Sequence, residues 1–77
     1  MEASFGGRRY GCIRGSDIHR DGMYLEITDL LDEHVVLEIF YSDQNHQMTF
    51  QAFATDLPLE LVEWAVATAK WSLPPAR

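Results

Sequence analysis

The sequence predicts an α+β fold: an antiparallel β-meander of three to four strands, with one C-terminal helix packed across one face. Three observations support this prediction. Several segments alternate apolar and polar residues with a period of two, and short turn-forming stretches separate them. The segment between Pro58 and Pro74 instead carries apolar residues at helical spacing.

The size and composition indicate one domain. The chain has 77 residues, of which 47% are apolar and 23% charged, the balance of a folded domain rather than a disordered chain. Residues 1–9 are polar and contain Gly6-Gly7, so we expect them to form a flexible N-terminal arm. Residues 10–77 are then expected to form a single α+β domain.

The first hairpin is predicted at Asp21-Gly22. An Asp-Gly pair between two patterned segments is typical of a two-residue type I′ turn, because both residues tolerate positive φ. This turn would place Ile18 opposite Leu25, on an edge strand that precedes the alternating segment Met23–Thr28.

Two further strands complete the predicted meander. Residues His34–Ser42 are apolar on both faces, as in a central strand; Val35, Leu37, Ile39 and Tyr41 would share one face and Val36, Glu38 and Phe40 the other. Residues His46–Ala54 alternate again after the turn-forming Asp43-Gln44-Asn45.

The C-terminal helix is predicted to begin near Pro58, with Thr55 or Asp56 as its cap, and to stop at Pro74-Pro75. At 100° per residue its core-facing stripe consists of Leu61, Val62, Ala65, Val66, Ala69 and Leu73. Trp64 and Trp71 fall on a common line beside this stripe, with Ala67 between them.

No catalytic, cofactor-binding or metal-binding residues are predicted. The meander places His19, His34 and His46 too far apart to share a metal, and Cys12 has no second cysteine as a partner. Glu26 and Glu38 lie on neighbouring strands, but paired carboxylates need a pocket before they act as acid and base. We therefore expect the protein not to be an enzyme and to need no cofactor.

Two surfaces are predicted to bind a partner. The first is the helix face with Trp64, Ala67 and Trp71, since two indoles left in water are unusual for a small monomer. The second is the sheet face that carries Tyr24 and Phe40, which one helix cannot cover while it packs on the other face.

The charge distribution bears on the kind of partner. The formal net charge is −6, which argues against nucleic acid, and no apolar run exceeds four residues, which argues against a membrane span. The single Cys12 and the polar start of the chain, which has no secretory signal, favour the cytoplasm. Residues 1–20 carry a charge of +2 from four arginines and two acids, and residues 21–77 carry −8 from two basic and ten acidic residues.

Three function hypotheses follow from these features. The first is a small non-enzymatic protein-interaction module that pairs with itself as a homodimer. The second is an acidic immunity or inhibitor-type protein that caps a basic partner, because the charge of the body would accelerate such an association. The third is a small-ligand binder or an enzyme, which would need a concave pocket with a buried titratable group.

Overall fold

The protein is described over residues 1–74 by a computed structural model, which has five strands and one helix. The elements are β1 (Glu2–Phe5), β2 (Arg8–Asp17), β3 (Gly22–Asp29), β4 (His34–Ser42), β5 (Met48–Ala52) and α1 (Leu59–Ser72). The strands form one antiparallel sheet in chain order, β1-β2-β3-β4-β5. This confirms the α+β fold with an antiparallel sheet, but the strand count is five rather than three to four. Within the described residues, no helix combines the length and the apolar character that a membrane crossing requires.

The additional strand, β1, lies in the residues that we expected to be a flexible arm. Phe5 pairs with Arg8, and the two residues between them, Gly6 and Gly7, have φ values of 59° and 78°. Positive φ at both positions is the geometry of a type I′ hairpin turn, which glycine adopts without steric cost. Gly6-Gly7 therefore makes a tight turn, and residues Glu2–Phe5 add an edge strand to the sheet.

The hairpin between β2 and β3 has a different register from the predicted one. Asp17 pairs with Gly22, so the loop has four residues, and Leu25 faces Arg14 instead of Ile18. The Asp17 carboxylate sets this loop, because its Oδ1 accepts hydrogen bonds from the backbone N–H groups of His19 and Arg20 at 3.0 and 3.2 Å. The partner of each β3 residue shifts by four positions, an even number that leaves each side chain on its predicted face.

The core lies between the sheet and α1, which packs across β3 and β4. Its largest fully buried side chains are Leu25, Ile27, Leu37, Leu61 and Leu73. Pro58 occupies the N-cap position of α1, so the predicted caps Thr55 and Asp56 lie before the cap position. Among the described residues, no side chain caps the start of the helix. The helix ends before Leu73, which is extended; Pro75 of the predicted stop lies outside the described residues.

A register shift in β4 changes the predicted position of one residue. Ile27 pairs with Leu37 but Thr28 pairs with Val35, so Val36 is the extra residue of a bulge. Val36 is only 5% exposed and belongs to the core cluster, whereas simple alternation would place it on the opposite sheet face with Phe40.

Candidate protein-interaction surface

An apolar groove runs between α1 and β5 on the helix side of the sheet. Because α1 lies over β3 and β4, it leaves the neighbouring edge strand uncovered. The groove has a volume of about 170 Å³ and is lined by Ile39, Met48, Thr49, Phe50, Val66, Ala69 and Lys70. Phe50 is 49% exposed and Met48 37% exposed, although the residues that face them on β4, Ile39 and Tyr41, are buried.

The strand beside this groove is exposed along its whole length. All five residues of β5 are solvent-exposed. β5 lies at the end of the strand order, so its outer edge has no partner strand in the part of the chain that is described. The segment between Asp43 and Asp56 also contains no Asp, Glu, Lys or Arg in twelve residues, which makes it the longest uncharged segment of the chain. Soluble proteins usually protect such an edge with charges, proline or a covering element.

The helix face predicted from the two tryptophans is divided between two environments. Trp64 is half-buried and packs against Phe5 of β1, with ring centroids 5.7 Å apart. Trp71 is 81% exposed, and Ala67 is also exposed. The contact with Phe5 was not predicted, because residues 1–9 were expected to form a flexible arm.

The aromatic residues predicted on the other sheet face contact neighbouring groups of the protein itself. Tyr24 and Phe40 are cross-strand partners, and both are half-buried. The Tyr24 ring lies over Gly15, where a Cβ atom would come within 2.5 Å of its hydroxyl oxygen. The Arg20 guanidinium lies 4.1 Å from the centroid of the Phe40 ring.

Arg20 also joins the loop between β2 and β3 to strand β4. Its Nη1 and Nη2 atoms donate to the two Glu38 carboxylate oxygens at 3.1 and 2.8 Å, and its Nε donates to Asp17 Oδ2 at 2.6 Å. Hydrogen bonds to Glu38 and then to Asp17 raise the pKa of Arg20. The hydrogen bond from the Arg20 side chain is in turn the main cause that lowers the pKa of Asp17. The predicted neighbours Glu26 and Glu38 do face each other, but Glu38 is held by this guanidinium.

Asp29 is the one buried charged residue among residues 1–74, and it has a structural role. Its Oδ2 accepts from Arg8 Nε at 2.7 Å, and its Oδ1 accepts from the backbone N–H of Leu31 at 3.0 Å. Burial raises the pKa of this carboxyl, but the Leu31 N–H and the Arg8 guanidinium outweigh burial and leave the pKa below its ordinary value. Asp29 is thus ionised at neutral pH and joins β2 to the loop after β3.

The thiol and imidazole groups belong to no metal-binding cluster within the described residues. Cys12 is half-buried, and burial raises the pKa of its thiol, which lowers the thiolate fraction. His46 Nδ1 lies 2.7 Å from the Tyr41 hydroxyl. Over residues 1–74, no three His, Cys, Asp or Glu side chains lie close enough together to hold a metal ion.

A second cleft lies at the end of the sheet opposite the loop between β2 and β3. It has a volume of about 410 Å³, and its lining includes Arg8, Asp29, Asp32, His34, Val36, Phe53 and Asp56. Arg8 spans part of it, because it binds Asp29 and lies 3.7 Å from Asp32.

In comparisons with known proteins, no family model, no curated protein and no solved structure matches this chain. The groove residues Met48, Phe50 and Val66 were not among the predicted interface residues. For Met48 and Phe50 the available signal was the long uncharged segment, whereas the alternation in this segment suggested only an ordinary half-buried strand.

Proposed function

We propose that this protein is a small, non-enzymatic protein-interaction module that works as a homodimer. The observation that carries the proposal is the apolar groove between α1 and β5, with the exposed strand beside it. Exposed apolar surface of this kind marks interaction sites in soluble proteins. A cytoplasmic location belongs to the same proposal, because the half-buried thiol of Cys12 is compatible with a reducing compartment.

The net charge supports a second copy as the occupant of this surface. Two chains that each carry −6 repel one another over most of their surface. The β5 segment is where two copies meet with the fewest like charges, because twelve consecutive residues are uncharged and, among residues 1–74, Lys70 is the one charged residue that lines the groove. A contact there brings together the apolar side chains that α1 leaves exposed.

Sedimentation of the full chain at micromolar concentrations tests the proposal. We expect a species of twice 8.8 kDa that dissociates on dilution. We also expect added salt to tighten the dimer, because salt screens the repulsion between two acidic chains. A chain that stays monomeric at all concentrations and salt levels would refute the homodimer.

Matched substitutions locate the interface. Phe50→Ser removes an exposed apolar side chain from the groove, and Ile13→Ser removes an apolar side chain of similar exposure, 57% against 49%, from β2, which does not border the groove. We expect the first variant to weaken the dimer and the second to leave it unchanged. If Trp71→Ser is the variant that weakens it, the interface is instead the helix face predicted from the tryptophans.

The second candidate function is an acidic protein that caps a basic partner. The observation that favours it is the cleft at the end of the sheet, where Asp32 and Asp56 are exposed while Arg8 is engaged by Asp29. This function predicts a monomer that binds a basic protein with an affinity that falls as salt is added. The salt dependence is the opposite of that expected for the homodimer, so one titration separates the two functions.

A further inference from the structure

The outer edge of β5 presents a defined set of backbone hydrogen-bonding groups. In an antiparallel sheet, the N–H and C=O groups of one residue point to the same side, and the side alternates along the strand. The Phe53 N–H donates to the Val36 carbonyl on β4, and the Gln47 carbonyl accepts from the Ser42 N–H. The odd-numbered residues of this segment therefore direct their backbone N–H and C=O groups toward β4, and Met48, Phe50 and Ala52 direct theirs outward.

We infer that two copies pair through this edge as antiparallel strands, with a two-fold axis at Phe50, and form one continuous ten-stranded sheet. The inference rests on the proposed function, a homodimer, and specifies its interface. With the axis at Phe50, this residue pairs with its own copy, and Met48 pairs with Ala52 of the second copy. All three outward-facing residues of each chain then form hydrogen-bonded pairs, which gives six intermolecular hydrogen bonds.

The neighbouring registers use the edge less well. An axis at Thr49 would place Ala52 opposite His46, which has a φ of 61° and lies outside β5. An axis at Gln51 would place Met48 opposite Ala54, which also lies outside β5. Only the axis at Phe50 pairs β5 with β5 over all five residues.

The side chains are compatible with the same arrangement. A two-fold axis perpendicular to the sheet keeps both helices on one side, so the two apolar grooves adjoin each other across the paired strands. The Phe50 rings of the two copies become cross-strand neighbours within this joint groove. On the opposite face, Thr49 faces Gln51 of the second copy, so this face brings no like charges together.

The other sheet edge is less suited to self-pairing. β1 has four residues, and its Glu2 carboxylate forms an ion pair with Arg9 of β2. Charges on an edge strand oppose pairing with a second chain. Pairing at β5 also closes the assembly at two subunits, because it leaves the two β1 strands as the ends of the sheet.

Mixed disulfide formation tests the register. Thr49→Cys and Gln51→Cys are made separately in a Cys12→Ser background, which removes the native thiol. In the proposed register, Thr49 and Gln51 of the second copy form a non-hydrogen-bonded pair, whose Cα atoms lie about 4.5 Å apart and within reach of a disulfide. Thr49 lies about 7–8 Å from Thr49 of the second copy, and Gln51 lies equally far from its own counterpart. We expect the two proteins, mixed and oxidised, to cross-link roughly tenfold faster than either protein alone, because only the mixed dimer places two thiols opposite one another.

The result also separates failure of the interface from failure of the homodimer. If sedimentation shows a dimer but the mixture cross-links no faster than the single proteins, β5 does not pair in this register and the inference is wrong. If sedimentation shows a monomer, the proposed function fails as well.

A proline substitution tests the backbone hydrogen bonds independently. Ala52→Pro removes an N–H group that faces outward, so the pairing between β4 and β5 is retained and the monomer stays folded. Two intermolecular hydrogen bonds are lost per dimer, one from each chain, and we expect the dissociation constant to rise roughly 100-fold. The matched control Ala54→Pro, two residues farther along and outside β5, leaves the dimer unchanged. Equal effects of the two variants, or no effect of Ala52→Pro, would overturn the inference.

Discussion

Substitution of Gly22 tests why the chain has glycine at the start of β3. The sequence suggests that Gly22 is needed for positive φ in a hairpin turn, but its φ is not in the left-handed region in the structure. Its role is instead a close approach of two strands. A Cβ atom at this position would lie 2.0 Å from the Tyr41 backbone oxygen and 2.5 Å from the Phe40 ring.

The expected cost follows from this geometry. Ordinary van der Waals contact begins at 3.4 Å, so a methyl group at position 22 forces the strands β3 and β4 to move apart. Overpacking in a well-packed region costs about 1–3 kcal/mol, and we expect Gly22→Ala to lie near the upper value because the obstacle is backbone. A chain of this length has a free energy of unfolding of about 4–12 kcal/mol. The melting temperature should therefore fall by roughly 12–24 °C.

Gly22→Asn distinguishes the two explanations. Asparagine tolerates positive φ, so it would cost little if Gly22 served a turn conformation. Close approach predicts that asparagine costs at least as much as alanine, because both have a Cβ atom. Urea denaturation followed by circular dichroism measures both variants. An asparagine variant as stable as the parent would refute the close-approach explanation.

Two further predictions concern contacts described above. The pKa of Asp29 is lower in the folded protein than its ordinary value of 3.8, so the stability that this carboxylate contributes is complete above pH 3.8 and is lost as the pH falls through the folded pKa. Below about pH 4 the melting temperature should therefore depend less steeply on pH for Asp29→Asn than for the parent, and equal slopes would contradict this role. Phe5→Ala should lower the free energy of unfolding by about 1–2 kcal/mol, because the ring is half-buried against Trp64. In a Trp71→Ser background, the same substitution should shift the fluorescence of Trp64 to longer wavelength, and an unchanged spectrum would mean that β1 does not cover Trp64.

The interior of the sheet could be predicted better than its edges. The range His34–Ser42 coincides with β4, because a strand that is apolar on both faces has a strong signal. β1 was missed because Gly6-Gly7 resembles a flexible link, although a glycine pair between two strand-like segments is equally typical of a type I′ turn. The register of the β2–β3 hairpin was wrong because the hydrogen bonds from the Asp17 carboxylate favour a longer loop, which Asp-Gly alone does not indicate.

The candidate interface was harder to predict than the fold. The hydrophobic spacing of α1 identifies which side faces the sheet, but it does not say over which strands the helix lies. Because α1 lies over β3 and β4, Phe50 is exposed, while Trp64 has a partner in β1. The solvent exposure of Trp64 and Phe50 thus depends on where the helix lies on the sheet rather than on local sequence.

The chain-order arrangement of the strands has a consequence for how the protein folds. Each strand pairs with the strand just before it, so the sheet forms through hairpins that are local in sequence, and such topologies fold quickly. During synthesis the strands can pair in the order in which they leave the ribosome. The apolar face with Leu25, Ile27 and Leu37 nevertheless stays open until Leu61 and Ala65 of α1 arrive to cover it. The nascent sheet is therefore most prone to aggregation just before α1 emerges, when its apolar face and the β5 edge are exposed together.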